Sequence, residues 1–190
     1  VTDHIRFGRA GRIAGVAAGA ALALTGIAVA AAPAGAAPVR ATLTGDQAAV
    51  QTQVPDTIQP PVGNKRIAEM DARGVQTYQC TNGVFTFQQP DAILTSNGKP
   101  QVLHTRGPIW TSVVDGSTVG GTTVATAPSP NAIAQLLLAG NKVRGPGLLA
   151  DVTFIQRLDT TGGLAPTGAC VEGTTASVPY TATYTFWVKA

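Results

Sequence analysis

The chain has 190 residues, with 13 Lys/Arg against 10 Asp/Glu and two cysteines, for a net charge of +3 at pH 7. Three of the basic groups, Arg6, Arg9 and Arg12, crowd the start, and beyond residue 36 ten basic residues face nine acidic ones. That near-neutral balance, with no basic patch interleaved by aromatics, excludes nucleic acid as an electrostatically recognised partner.

The three arginines precede an Ala/Gly/Leu/Val-rich run from Ile13 to Ala32, and Ala34-Gly35-Ala36 supplies small residues suited to a cut. A positive start, an apolar run and a small-residue exit are the layout of a cleavable secretory signal peptide over residues 1–36. A retained transmembrane anchor is the alternative, because the run approaches the length of a bilayer span. Gly15, Gly19, Thr25 and Gly26 dilute it, however, and no Lys/Arg stop-transfer cluster follows. The expectation is a secreted, extracellular protein with no stable membrane insertion after cleavage. The remaining ~150 residues suffice for one domain with a buried core. Their few charges and many Thr, Val, Ala and Gly favour β structure.

Residues 37–63 are rich in Ala, Thr, Gln and Pro without sustained periodicity, and read as a flexible or extended arm. A single β-rich domain is expected over residues 64–190. Val75–Cys80 alternates as a strand, Asn82-Gly83 marks a tight turn, and Val84–Phe87 returns. Ala92–Thr95 leads through Asn97-Gly98 to Gln101–Thr105, and Pro108–Val113 leads through Asp115-Gly116 to Ser117–Val119. Short strands at this spacing predict an all-β, antiparallel sandwich or barrel. One segment reads differently. Ser129 as N-cap, Pro130 at the first helical position and Gly140 after the last turn predict a short helix near residues 130–139. Strands resume at Asp151–Leu158 and close the chain at Tyr180–Val188, where Tyr180, Ala182, Tyr184, Phe186 and Val188 share one face and Thr181, Thr183 and Thr185 the other.

Cys80 and Cys170, as an isolated pair in an oxidising compartment, are most simply a disulfide. Without C-x-x-C spacing, and with His104 the single histidine beyond residue 36, no metal site is expected. Gly145-Pro146-Gly147-Leu148-Leu149-Ala150 matches a relaxed dinucleotide loop. It precedes a strand instead of opening a long helix, so no nucleotide cofactor, and no cofactor of any kind, is expected. The candidate ligand-binding residues are His104, Trp110, Asp115 and Arg157. Arg157 on a strand is costly to bury alone, so it faces solvent, pairs internally or binds an anionic or carbonyl group, and internal pairing, with Asp115 or Asp159, is the preferred expectation.

Gly74–Cys80, the block from His104 through Gly107-Pro108-Ile109-Trp110 to Asp115-Gly116-Ser117, Ile155-Gln156-Arg157 with Thr160–Pro166 and Cys170, and Val178–Tyr184 occur together in this order. With these motifs the chain resembles the secreted family called domain of unknown function 3455, from about Val54 to the C-terminus. The resemblance implies export and membership, not a reaction. Two functions stand open: a non-enzymatic β domain binding an extracellular or cell-envelope ligand, and a small extracellular hydrolase using His104 with a carboxylate such as Asp115 or Asp159. The first is preferred, because no nucleophile motif accompanies His104.

Overall fold

The structure, a computed structural model, describes residues 53–190. The expected signal peptide and most of the expected arm lie outside the described residues. Eight antiparallel strands follow one another: β1 (Asn64–Thr81), β2 (Val84–Ser96), β3 (Lys99–Thr105), β4 (Ile109–Ser112), β5 (Thr118–Ala127), β6 (Gln135–Arg144), β7 (Phe154–Gly162) and β8 (Thr175–Lys189). Each pairs with its neighbour in sequence and β8 returns to pair with β1, so the sheet is a closed barrel, not a sandwich. Closure removes the exposed edges that an open sheet would offer.

The tight turns follow the sequence closely. Asn82 and Gly83 (φ 54° and 76°) join β1 to β2, and Asn97 and Gly98 (φ 49° and 71°) join β2 to β3. Asn tolerates the left-handed region and Gly adopts it without steric cost, which suits the twist of two-residue hairpins. β2 is longer than either strand expected within it. It runs unbroken past Pro90, where it pairs with β1 but not yet with β3, so the missing proline N–H costs no ladder bond on that side.

The expected helix near residues 130–139 is absent. Asn131 takes φ 56°, Ala132 bridges to Gly162, and β6 begins at Gln135 between β5 and β7. The run Leu136-Leu137-Leu138 is apolar because both faces of this strand are covered. Leu136 and Leu138 pack with the barrel core, while Leu137 packs on an outer patch with Ile58, Ala127 and Leu158. A strand covered on both faces loses the alternation that distinguishes it from a buried helix.

That outer patch also ties down the end of the segment read as an arm. A single 3₁₀ turn at Asp56–Ile58 places the Ile58 side chain in it, fully buried. The Gln156 amide then bridges the layers. Its Nε2 donates to the Ile58 carbonyl (2.8 Å), and its Oε1 accepts from Thr185 Oγ1 (2.8 Å) and Trp187 Nε1 (3.0 Å).

Because the strands run up and down, their connections alternate between the two ends of the barrel. The β1–β2, β3–β4, β5–β6 and β7–β8 connections share one end, and β2–β3, β4–β5 and β6–β7 the other. The second end is plugged. Leu149 and Val152 from the β6–β7 loop are buried in the same core cluster as the inward strand residues. The first end is open.

Candidate functional site

Inward-facing residues alternate along each strand, and toward the open end they turn from aliphatic to polar and aromatic. They surround a cavity of about 700 Å³. β1 contributes Gln76 and Tyr78, β3 His104, β4 Trp110, β7 Arg157 and β8 Tyr184. Leu136 and Leu138 of β6 give it apolar wall, and Phe87 and Leu164, both about half exposed, stand at its rim.

His104 and Trp110 are cross-strand partners in the β3–β4 ladder. Their rings stack with centroids 4.2 Å apart and planes within 4°, and Tyr184 meets both edge-on. Gly121 on β5 makes room for this stack, because a Cβ there would lie 3.0 Å from the Trp110 ring and 3.2 Å from Leu138. His104 Nδ1 lies 3.1 Å from the Ile109 carbonyl. A carbonyl can only accept, so the neutral ring carries its proton on Nδ1 and leaves Nε2 as an acceptor. Burial pulls the His104 pKa down to about 4, the Ile109 carbonyl opposes this and the charge of Arg157 reinforces it. The imidazole is therefore uncharged at neutral pH.

Arg157 does not pair with Asp115 or Asp159 as expected. Its Nε and Nη2 both donate to the Ala134 carbonyl, at 3.0 and 2.8 Å. The ion pair among the described residues is Arg66–Glu69, on β1. A break in the β7 pleat explains the difference, since in a regular strand Arg157 and Asp159 would share a face. Arg157 lies inward opposite Tyr184, whereas Asp159 is exposed, at φ 47°, beside the irregular register between Leu158 and Thr161.

Asp115 lies at the plugged end, away from the cavity. It accepts from Ser117 Oγ (2.6 Å), Ser117 N (2.9 Å) and Leu148 N (2.9 Å), and these hydrogen bonds hold its carboxyl well below the usual carboxylate range. It thereby pins the Gly145–Ala150 loop, whose Leu149 N–H is taken by Ser117 Oγ at 3.1 Å. With these amides already donated inside the protein, and a Cβ at Gly147 colliding with the Asp115 carboxyl, the loop is a structural clasp. Of the four candidates, His104, Trp110 and Arg157 come together and Asp115 does not.

Three more groups complete the cavity. Gln76 Nε2, Trp110 Nε1, Tyr184 OH and the neighbouring Tyr180 OH are buried and meet no partner at regular hydrogen-bond geometry among the described residues, although the two hydroxyls lie beside each other, with Arg157 next to Tyr184 and Gln76 next to Tyr180. Burial raises the pKa of both tyrosines, so both hydroxyls stay protonated at neutral pH. Sequence reasoning passed over Gln76, although it shares the inward face of β1 with Ala72 and Tyr78. A polar residue at a core position was the available signal. No group of His, Cys, Asp and Glu among the described residues is arranged to hold a metal ion.

The Cys80–Cys170 disulfide forms, with Cα atoms 5.8 Å apart. It fastens the β7–β8 loop to the end of β1, aided by Cys80 N–H to the Thr174 carbonyl and Gly173 N–H to the Cys80 carbonyl. The start of the same loop is held by Tyr78 OH donating to the Gly163 carbonyl, which sets Leu164 at the rim.

Residues 95–188 match the model of the family described as "Protein of unknown function (DUF3455)", and the chain belongs to that family. The match takes in the His104–Ser117, Ile155–Cys170 and Val178–Tyr184 motifs. It begins later than the residue 54 suggested by the sequence, leaving Gly74–Cys80 outside. No curated protein and no solved structure matches the chain.

Proposed function

We propose that this protein is a secreted binding module that encloses a small molecule in the open end of its barrel. One observation carries the reading: a cavity of about 700 Å³ is lined by side chains bearing three buried polar groups without a regular hydrogen-bond partner among the described residues. An unsatisfied buried donor costs about 1–3 kcal/mol. A ligand supplying acceptors recovers that energy, and the apolar wall supplies the remaining contact, as in ligand-holding eight-stranded barrels generally. Secretion is supported by the disulfide, which reducing compartments disfavour, and by the arginine-led apolar start of the chain. Among the described residues no helix is long and apolar enough to cross a membrane.

The hydrolase reading has weaker support. Among the described residues no Asp or Glu lines the cavity, and a His104 pKa of about 4 is far from the neutral range that suits a general base.

The test is titration with N-phenyl-1-naphthylamine, an uncharged dye that brightens in apolar surroundings. Saturable one-to-one enhancement is expected, and it should fall at least tenfold in affinity in Thr123→Trp, which adds bulk to the cavity wall. No enhancement, or enhancement indifferent to Thr123→Trp, overturns the proposal.

A further inference from the structure

The charged groups of the cavity share a sign. Arg157 and, at the rim, Arg106 carry positive charge, and among the described residues no carboxylate lines the cavity to offset them. Arg106 is held toward the mouth by Gln88 Oε1 at 3.2 Å. Arg157 is fixed more firmly. With Nε and Nη2 committed to the Ala134 carbonyl, the guanidinium plane is set, with the Tyr184 hydroxyl beside it. A half-buried guanidinium without a counter-ion is expensive, and its planar fork suits a planar anion.

The buried unpartnered groups around it can all donate, while His104 Nε2 on the same lining accepts. An indole N–H can only donate, an amide nitrogen donates twice, and a protonated phenol donates once. Trp110 Nε1, Gln76 Nε2 and Tyr184 OH therefore await oxygen acceptors. One interior cation with neutral donors balances one negative charge. A dianion there would keep a second charge in a poorly solvated site. Around this polar floor the wall is Ile133, Leu136 and Leu138, with Phe87 and Leu164 at the rim.

We infer that the occupant of the barrel is an apolar molecule carrying a single carboxylate, received by Arg157 among the donors of Gln76, Trp110 and Tyr184. This deepens the binding reading and rests on it. Arg106 at the mouth favours entry of the same sign of charge.

Calorimetric titration of the full domain with 2-naphthoate, 2-naphthalenemethanol, 2-naphthylmethylammonium and 2-naphthyl phosphate at pH 7 tests it, since these four share a body and differ in the head. The acid should bind at least tenfold tighter than the alcohol, the ammonium should bind weakest, and the phosphate should not exceed the acid. Arg157→Met should bring the acid-to-alcohol ratio close to one. Should that variant not fold, the wild-type ranking decides alone. A smaller preference for the acid, a tighter ammonium or phosphate, or no naphthalene binding while the uncharged dye binds, each overturns the inference and leaves the binding reading standing. If the dye also fails to bind, the binding reading falls and the inference with it.

Discussion

His104 gives the barrel an acid sensitivity that can be worked out in advance. In the unfolded chain its pKa is the ordinary 6.5, and in the folded barrel burial holds it at about 4. Between those values the unfolded chain binds more protons than the native one, so stability falls as the pH falls through this window. At ~1.4 kcal/mol per pKa unit, the loss is about 2 kcal/mol at pH 5 and about 3 kcal/mol at pH 4. Below the folded pKa the effect levels off. Urea unfolding of the wild type and His104→Gln at pH 7, 6, 5 and 4 measures it. The substitution itself costs stability at pH 7 through the lost stack on Trp110, so the readout is the difference in slope, in which the carboxylates common to both proteins cancel. The wild type should lose about 3 kcal/mol more than the variant between pH 7 and pH 4. Parallel curves would refute a buried, neutral His104.

Three further outcomes follow from the packing. Replacing Cys80 and Cys170 by Ser opens a loop of sequence separation 90 and should lower stability by about 4–5 kcal/mol on the chain-entropy account, read by denaturant unfolding. Gly121→Val places a branched side chain against Trp110 and Leu138. It should cost about 1–3 kcal/mol by overpacking and perturb the near-ultraviolet circular dichroism of the His104–Trp110 stack. Ile58→Ala empties the outer patch with Ala127, Leu137 and Leu158 and should cost about 2–5 kcal/mol. Hydrogen exchange should then quicken at the N-terminal segment and the outer faces of β6 and β7, and spare the barrel interior.

Residues that act locally were legible in the sequence. Asn82-Gly83 and Asn97-Gly98 demand left-handed backbone wherever they lie, and they make the hairpins expected of them. The two faces of β8 separate as their alternation implies, with Tyr180, Ala182, Tyr184 and Phe186 all in the core. The disulfide needed only an isolated pair of cysteines. What failed depended on neighbours distant in the chain. Leu136–Leu138 is a strand because β5 and β7 flank it and Ile58 covers its outer side, and local capping signals at Ser129, Pro130 and Gly140 gave way to that pairing. The choice of carboxylate for Arg157 failed for a topological reason. In an up-and-down barrel consecutive turns lie at opposite ends, which separates Asp115 from the His104–Trp110 pair although few residues intervene. The cavity itself is a property of closure, and closure becomes visible only when β8 is placed against β1.

The protein's two tryptophans make the central claim directly measurable, because their indole N–H groups differ in the right way. Trp110 Nε1 lacks a partner on a side chain lining the cavity, whereas Trp187 Nε1 is already donated to Gln156 and Thr185. Nitrogen–proton correlation NMR during titration with the uncharged dye follows both at once. Binding in the barrel predicts that the Trp110 indole resonance moves saturably while that of Trp187 stays in place. A bound dye that leaves Trp110 unmoved would place the ligand elsewhere and contradict the account.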